Sequence, residues 1–133
     1  MIVADTNLLI YLYVRGQRTE ETEAVLRRDA VWSVPLLWRS EFRNVMIGLV
    51  RKHAITLDDA TSIIEEAERW LTGREYSVVS RQVLAVAAQS GCSAYDCEFV
   101  VLAQDLGVPL VTSDRKILKA FPGAARTPEE FTT

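Results

Sequence analysis

Four short apolar segments constrain this chain more than any other feature: Ile2-Val3-Ala4, Val31-Trp32-Ser33-Val34, Tyr76-Ser77-Val78-Val79 and Pro109-Leu110-Val111-Thr112. They are rich in β-branched residues and do not alternate apolar with polar. Alternation marks a strand with one wet face, so these segments predict strands covered on both faces, the condition of a parallel sheet. Helical patterns run between them, over residues 20–28, 35–53, 57–71, 81–89 and 94–106, with a short helix after Asp114. Thr56-Leu57-Asp58-Asp59 spells a capping box, and Gly73 and Gly107 fall where helices should stop. Strands alternating with helices predict an α/β fold, a three-layer α/β/α sandwich around a central, mainly parallel sheet. With 133 residues, one domain over 1–133 built on one core is expected.

Composition excludes several classes. Apolar residues make up 49% and charged residues 25%, which suits a globular protein. No basic stretch leads into an apolar run at the start, and no window nears the ~18 apolar residues of a membrane span, so a cytoplasmic location is expected. The six glycines are too dispersed for a phosphate-binding loop or a dinucleotide fingerprint. One histidine, His53, rules out chemistry built on paired imidazoles. Cys92 and Cys97 are expected as buried thiols, not as a disulfide or zinc site. The net charge of −3 does not favour nucleic acid, yet without the carboxylates considered next the remainder is slightly positive.

Carboxylates are what remains. Asp5 and Asp114 each stand immediately after a predicted strand, where ligands bind in doubly wound folds, although each could be a helix N-cap. Glu41 lies on a helical stripe with Leu37, Trp38 and Val45, and no lysine or arginine stands three or four residues away. Such an acid is costly unless a cation or donors meet it from elsewhere in the fold. Asp96 opens the most apolar helix, where Ser93 and Asp96 also read as a capping box. Each residue has a structural alternative, but a doubly wound layout lets all four meet. Like charges at close range repel, so the cluster calls for protons or for hard cations such as Mg²⁺ or Mn²⁺.

The chain resembles PIN-domain proteins, and among them the VapC-type toxins of bacterial toxin–antitoxin pairs. The resemblance is carried by Val3-Ala4-Asp5-Thr6-Asn7, Ser40-Glu41-Phe42, the stretch from Tyr95-Asp96-Cys97-Glu98-Phe99 to Ala103, and Thr112-Ser113-Asp114. It implies that Asp5, Glu41, Asp96 and Asp114 form an acidic metal site, with Asp5 and Asp96 as direct ligands and Asn7 and Thr112 in support. It also implies Mg²⁺- or Mn²⁺-dependent endonucleolytic cleavage of RNA, a homodimer, and inhibition by a cognate antitoxin. Phe99 departs from the family, where tyrosine is common. Arg39 and Arg43, flanking Glu41, and Arg115, Lys116 and Lys119 are candidate phosphate contacts, or alternatively a solvated or antitoxin-facing surface. Trp32, Trp38 and Trp70 are expected in packing more than in base stacking.

Two other enzyme classes fit poorly. Haloacid-dehalogenase-like phosphatases use a second acid two residues after the first, where this chain has Asn7. A receiver domain needs an aspartate at the end of the third strand, where Val78-Val79-Ser80 stands. A module of the same fold that grips RNA or a partner without cutting is the alternative that the sequence leaves open.

Overall fold

The computed structural model describes residues 1–133. In chain order the elements are β1 (Ile2–Ala4), α1 (Thr6–Tyr13), α2 (Thr19–Arg28), β2 (Trp32–Pro35), α3 (Trp38–Arg51), α4 (Leu57–Trp70), β3 (Glu75–Tyr76), α5 (Ser80–Ser90), α6 (Ala94–Leu106), β4 (Leu110–Val111), α7 (Arg115–Ala120), β5 (Ala125–Arg126) and α8 (Pro128–Thr132). The sheet has five strands in the order β3-β2-β1-β4-β5, and every pairing is parallel. The expected α/β/α sandwich is therefore observed, with a wholly parallel sheet.

Burial explains the architecture. Every residue of β1, β2 and β4 is buried, so both faces of the sheet centre are covered, as their unbroken apolar character requires. α6 packs on β1 and β2 and buries Cys97 and the run from Phe99 to Ala103, which makes it the central helix that its composition predicts. Trp32 and Trp38 are fully buried. Trp70 packs edge-on against Trp32, with ring centroids 5.3 Å apart, so the tryptophans serve packing.

Local signals fix most boundaries. Thr56 caps α4 by accepting from the Asp59 amide while Asp59 accepts from the Thr56 amide. α6 ends at Gly107, whose φ of 66° is a left-handed conformation that a side chain would strain. α1 carries no such mark: its eight residues are apolar nearly all round, and a short apolar run is ambiguous between helix and strand. β5 pairs only through Ala125 and Arg126 and has no periodicity to detect. α8 does carry a readable cap, since Thr127 accepts from the Glu130 amide at 3.0 Å with Pro128 at the first helical turn.

Candidate active site

The sheet order decides where the acids meet. β1 lies between β2 and β4, and the chain runs outward from β1 in both directions, so the crevice past the carboxyl ends of β1 and β4 is the switch point of the fold. Ala4 pairs with Val111, and the Asp5 amide donates to the Val111 carbonyl at 3.2 Å. Asp5 and Thr112 therefore leave the sheet side by side. The Thr112 hydroxyl donates to Asp5 Oδ2 at 2.6 Å and accepts from the Asp114 amide at 3.0 Å. One buried threonine thus orients both strand-end aspartates.

The helices supply the other two acids. The Thr6 hydroxyl, in the first turn of α1, donates to Glu41 Oε1 at 2.6 Å, which ties the first turn of α3 to the residue after Asp5. Asp96 enters from the first turn of α6. A pocket of about 230 Å³ is lined by Asp5, Thr6, Asn7, Glu41, Asn44, Val45, Asp96 and Asp114. All four carboxylates named from the sequence, and Asn7, line this one cavity.

The capping alternatives resolve separately. Asp5 holds the N-cap position of α1 but makes no capping hydrogen bond through its side chain, so its carboxylate is spent on Thr112 and the pocket. Ser93 caps α6 by accepting from the Asp96 amide at 3.0 Å, and its hydroxyl also favours the charged form of the Asp96 carboxylate. Asp114 does cap, accepting from the Ile117 amide through Oδ1 at 3.0 Å, and reaches the pocket as well.

None of the four acids forms an ion pair. Burial raises the pKa of Asp5, Glu41 and Asp96; Thr112 and Thr6 partly offset this at Asp5 and Glu41, and neighbouring acids add to it. Lys116 eases Asp96 slightly, which places its ammonium within electrostatic reach of the pocket. Thr6→Val is expected to move the Glu41 midpoint further up, because the hydroxyl that favours its charged form is lost, at a stability cost of about 1 kcal/mol. A carbon-detected NMR titration checks this.

The basic residues of α3 lie elsewhere. Positions i±2 on a helix point away from position i, so Glu41, Asn44 and Val45 share the pocket face while Arg39 and Arg43 do not. Arg39 donates from Nε to Glu75 Oε2 at 2.6 Å and from Nη2 to Glu75 Oε1 at 2.8 Å, and its Nη1 pairs with Glu68. Arg43 lines a separate groove between α3 and α4 with Met46, Ile47 and Leu57. Adjacency in sequence to Glu41 was misleading for both. Arg115, Lys116 and Lys119 are exposed on α7. Sequence reasoning passed over Thr6 and Asn44; Asn44 was findable as the residue three places after Glu41 on the same helical face, whereas nothing local marks Thr6.

The sequence matches the PIN domain over residues 2–122. The chain belongs to the PIN-domain family. A curated relative, Ribonuclease VapC3 of Pyrobaculum aerophilum, is 27% identical over 124 residues, covering 91% of this chain and 95% of the relative. Among solved structures, PAE2754 from Pyrobaculum aerophilum superposes with a TM-score of 0.75 at 20% identity, over 98% of this chain and 85% of that one. A toxin–antitoxin complex from Klebsiella pneumoniae gives a TM-score of 0.60 at 22% identity, over 96% and 98%. These likenesses establish the shared PIN fold.

The donor set of this PIN domain suits a hard divalent cation: carboxylate oxygens with the amides of Asn7 and Asn44 at hand and no thiol or imidazole. As arranged, no three of its acids form a ready-made metal cage. Mg²⁺ does not require one, because it binds through one or two carboxylates and keeps several waters.

Proposed function

We propose that this PIN domain is a Mg²⁺- or Mn²⁺-dependent endoribonuclease acting as the toxin of a toxin–antitoxin pair. The observation that carries the reading is the set of four carboxylates without cationic partners in one pocket. The name of the ribonuclease relative supports RNA as substrate, and the Klebsiella complex supports an antitoxin partner. The family resemblance adds a homodimer.

Asp5 and Asp96 would hold the cation, with Asp114 and Glu41 completing the acidic wall. When bound, such an ion activates water and neutralises charge that develops on the scissile phosphate and leaving oxygen. The chain's own residues do the positioning. Thr112 fixes Asp5 and the backbone before Asp114; Thr6 fixes one oxygen of Glu41, leaving the other to accept a hydrogen bond from an approaching water. Asn7 and Asn44 offer amide donors and acceptors at the rim.

Purified protein and Asp96→Asn, incubated with structured cellular RNAs in Mg²⁺, Mn²⁺ or chelator, provide the test. Discrete new 5′ ends that need metal and fall by about a thousandfold in the variant are expected. Equal, metal-independent traces from both proteins would reject catalysis and leave a binding module.

A further inference from the structure

With Arg39 and Arg43 facing away from the pocket, the cation that reaches its Asp114 side from another element is Arg18. Its Nη1 donates to the Ser113 hydroxyl at 3.1 Å across 95 positions of sequence, one residue from Asp114. We propose that Arg18 binds a backbone phosphate of the RNA strand next to the one being cut, an assignment that rests on the nuclease reading above.

Three observations carry it. First, the start of α2 gains nothing from a cation at Arg18. It occupies the N-cap position of α2 without capping, a place that favours Ser, Thr, Asp or Asn and where the helix dipole disfavours a cation. Secondly, it is held but not consumed. Nη1 alone is engaged, by Ser113 and by Glu21 at 3.2 Å, while Nε and Nη2 make no hydrogen bond within the protein. The pair with Glu21 is exposed, with side chains 50% and 30% accessible, so water screens it and it neutralises little of the charge. The guanidinium also lies over the Tyr11 ring, 5.8 Å from its centroid, which limits its orientations. A pre-oriented fork with free donors suits phosphate oxygens. Thirdly, the flanks of the pocket differ in charge. Arg18 meets Ser113, next to Asp114, and Lys116, exposed on α7, acts on Asp96, whereas the groove that holds Leu36, Val83, Leu84 and Glu98 is mostly apolar. The cations near Asp114 favour a polyanion there.

The test reads binding, not turnover. A short fluorescein-labelled single-stranded RNA of mixed sequence is titrated by anisotropy in Mg²⁺ at several salt concentrations, with every protein carrying Glu41→Gln so that the strand survives. Removing one phosphate contact from a single strand should make the slope of log affinity against log salt shallower by about 0.7, and should weaken binding at low salt by about tenfold. Arg18→Ala is expected to show both changes, and Arg18→Lys to retain most of the slope. Ser113→Ala, which cuts the tether but keeps the charge, should also retain the slope. An unchanged slope in Arg18→Ala would overturn the assignment, as would a Ser113→Ala loss equal to that of Arg18→Ala, which would make Arg18 a strut for the loop. If the protein with Glu41 intact cleaves RNA while the Arg18→Ala slope is unaltered, only the Arg18 assignment fails. If the protein with Glu41 intact neither binds nor cleaves, the nuclease reading fails with it.

Discussion

Asp5→Asn is expected to lower RNA cleavage by about a thousandfold or more while making the metal-free protein more stable, not less. The activity loss follows from removing a charged ligand at the switch point of the sheet, a change of several kcal/mol in transition-state stabilisation. The stability gain follows from the direction of the pKa shifts. Burial raises Asp5, Glu41 and Asp96 above their ordinary values. Between the ordinary carboxylate value of about 4 and the raised values, the folded state binds more protons than the unfolded one. Stability therefore falls as pH rises through that window, and the cost is complete only above the raised values. Asparagine keeps a carbonyl to accept from the Thr112 hydroxyl and removes the charge. Its melting temperature in chelator at neutral pH should exceed the parent's by a few degrees, and the difference should shrink toward pH ~4. Mg²⁺ or Mn²⁺ should raise the parent's melting temperature more than the variant's, since only the full site binds the ion tightly. A variant that melts lower than its parent in chelator would show that the Asp5 charge is compensated within the fold.

Arg39→Ala is expected to cost about 2–4 kcal/mol of stability and to leave cleavage per folded molecule unchanged. Arg39 binds Glu75 through two nitrogens and Glu68 through a third, and Glu75 also accepts from the buried Trp38 indole at 2.7 Å. This cluster joins α3, α4 and β3, the edge strand of two residues. Its removal leaves the Glu75 carboxylate, 13% accessible, with the indole as its remaining hydrogen-bond donor. The Arg39 guanidinium holds Glu75 below its ordinary pKa, so this contribution is present above the ordinary carboxylate value and is lost as pH falls through the depressed one. Denaturant unfolding near neutral pH should show the full difference between parent and variant, and the gap should close in acid. A loss of RNA affinity without a loss of stability would instead restore Arg39 as a phosphate contact.

How much was legible in the sequence differs between these two regions for a physical reason. β1, β2 and β4 announced themselves because a sheet centre buried on both faces needs unbroken apolar segments; the strand expected over 76–79 meets the half-buried edge strand β3 only at Tyr76, and β5 left no pattern to read. The helices were legible through period and caps: Thr56 with Asp59, and Gly107 with its positive φ. The acids were legible because position after a strand, or on an apolar helical stripe, leaves a carboxylate in want of a partner. Strand order was not, since nothing local says that β4 returns to lie beside β1. Only that return sets Thr112 against Asp5 and carries Asp114 to the same pocket. Nor could sequence tell which distant group each arginine would meet. A long side chain chooses between a carboxylate on a distant strand, as Arg39 does with Glu75, and a hydroxyl on a distant loop, as Arg18 does with Ser113. Both choices are set by contacts between residues far apart in the chain. Propensity and pattern determined most of the helices, the central strands and the candidate acids; the crossing of the chain at the sheet's switch point decided which side chains share the site.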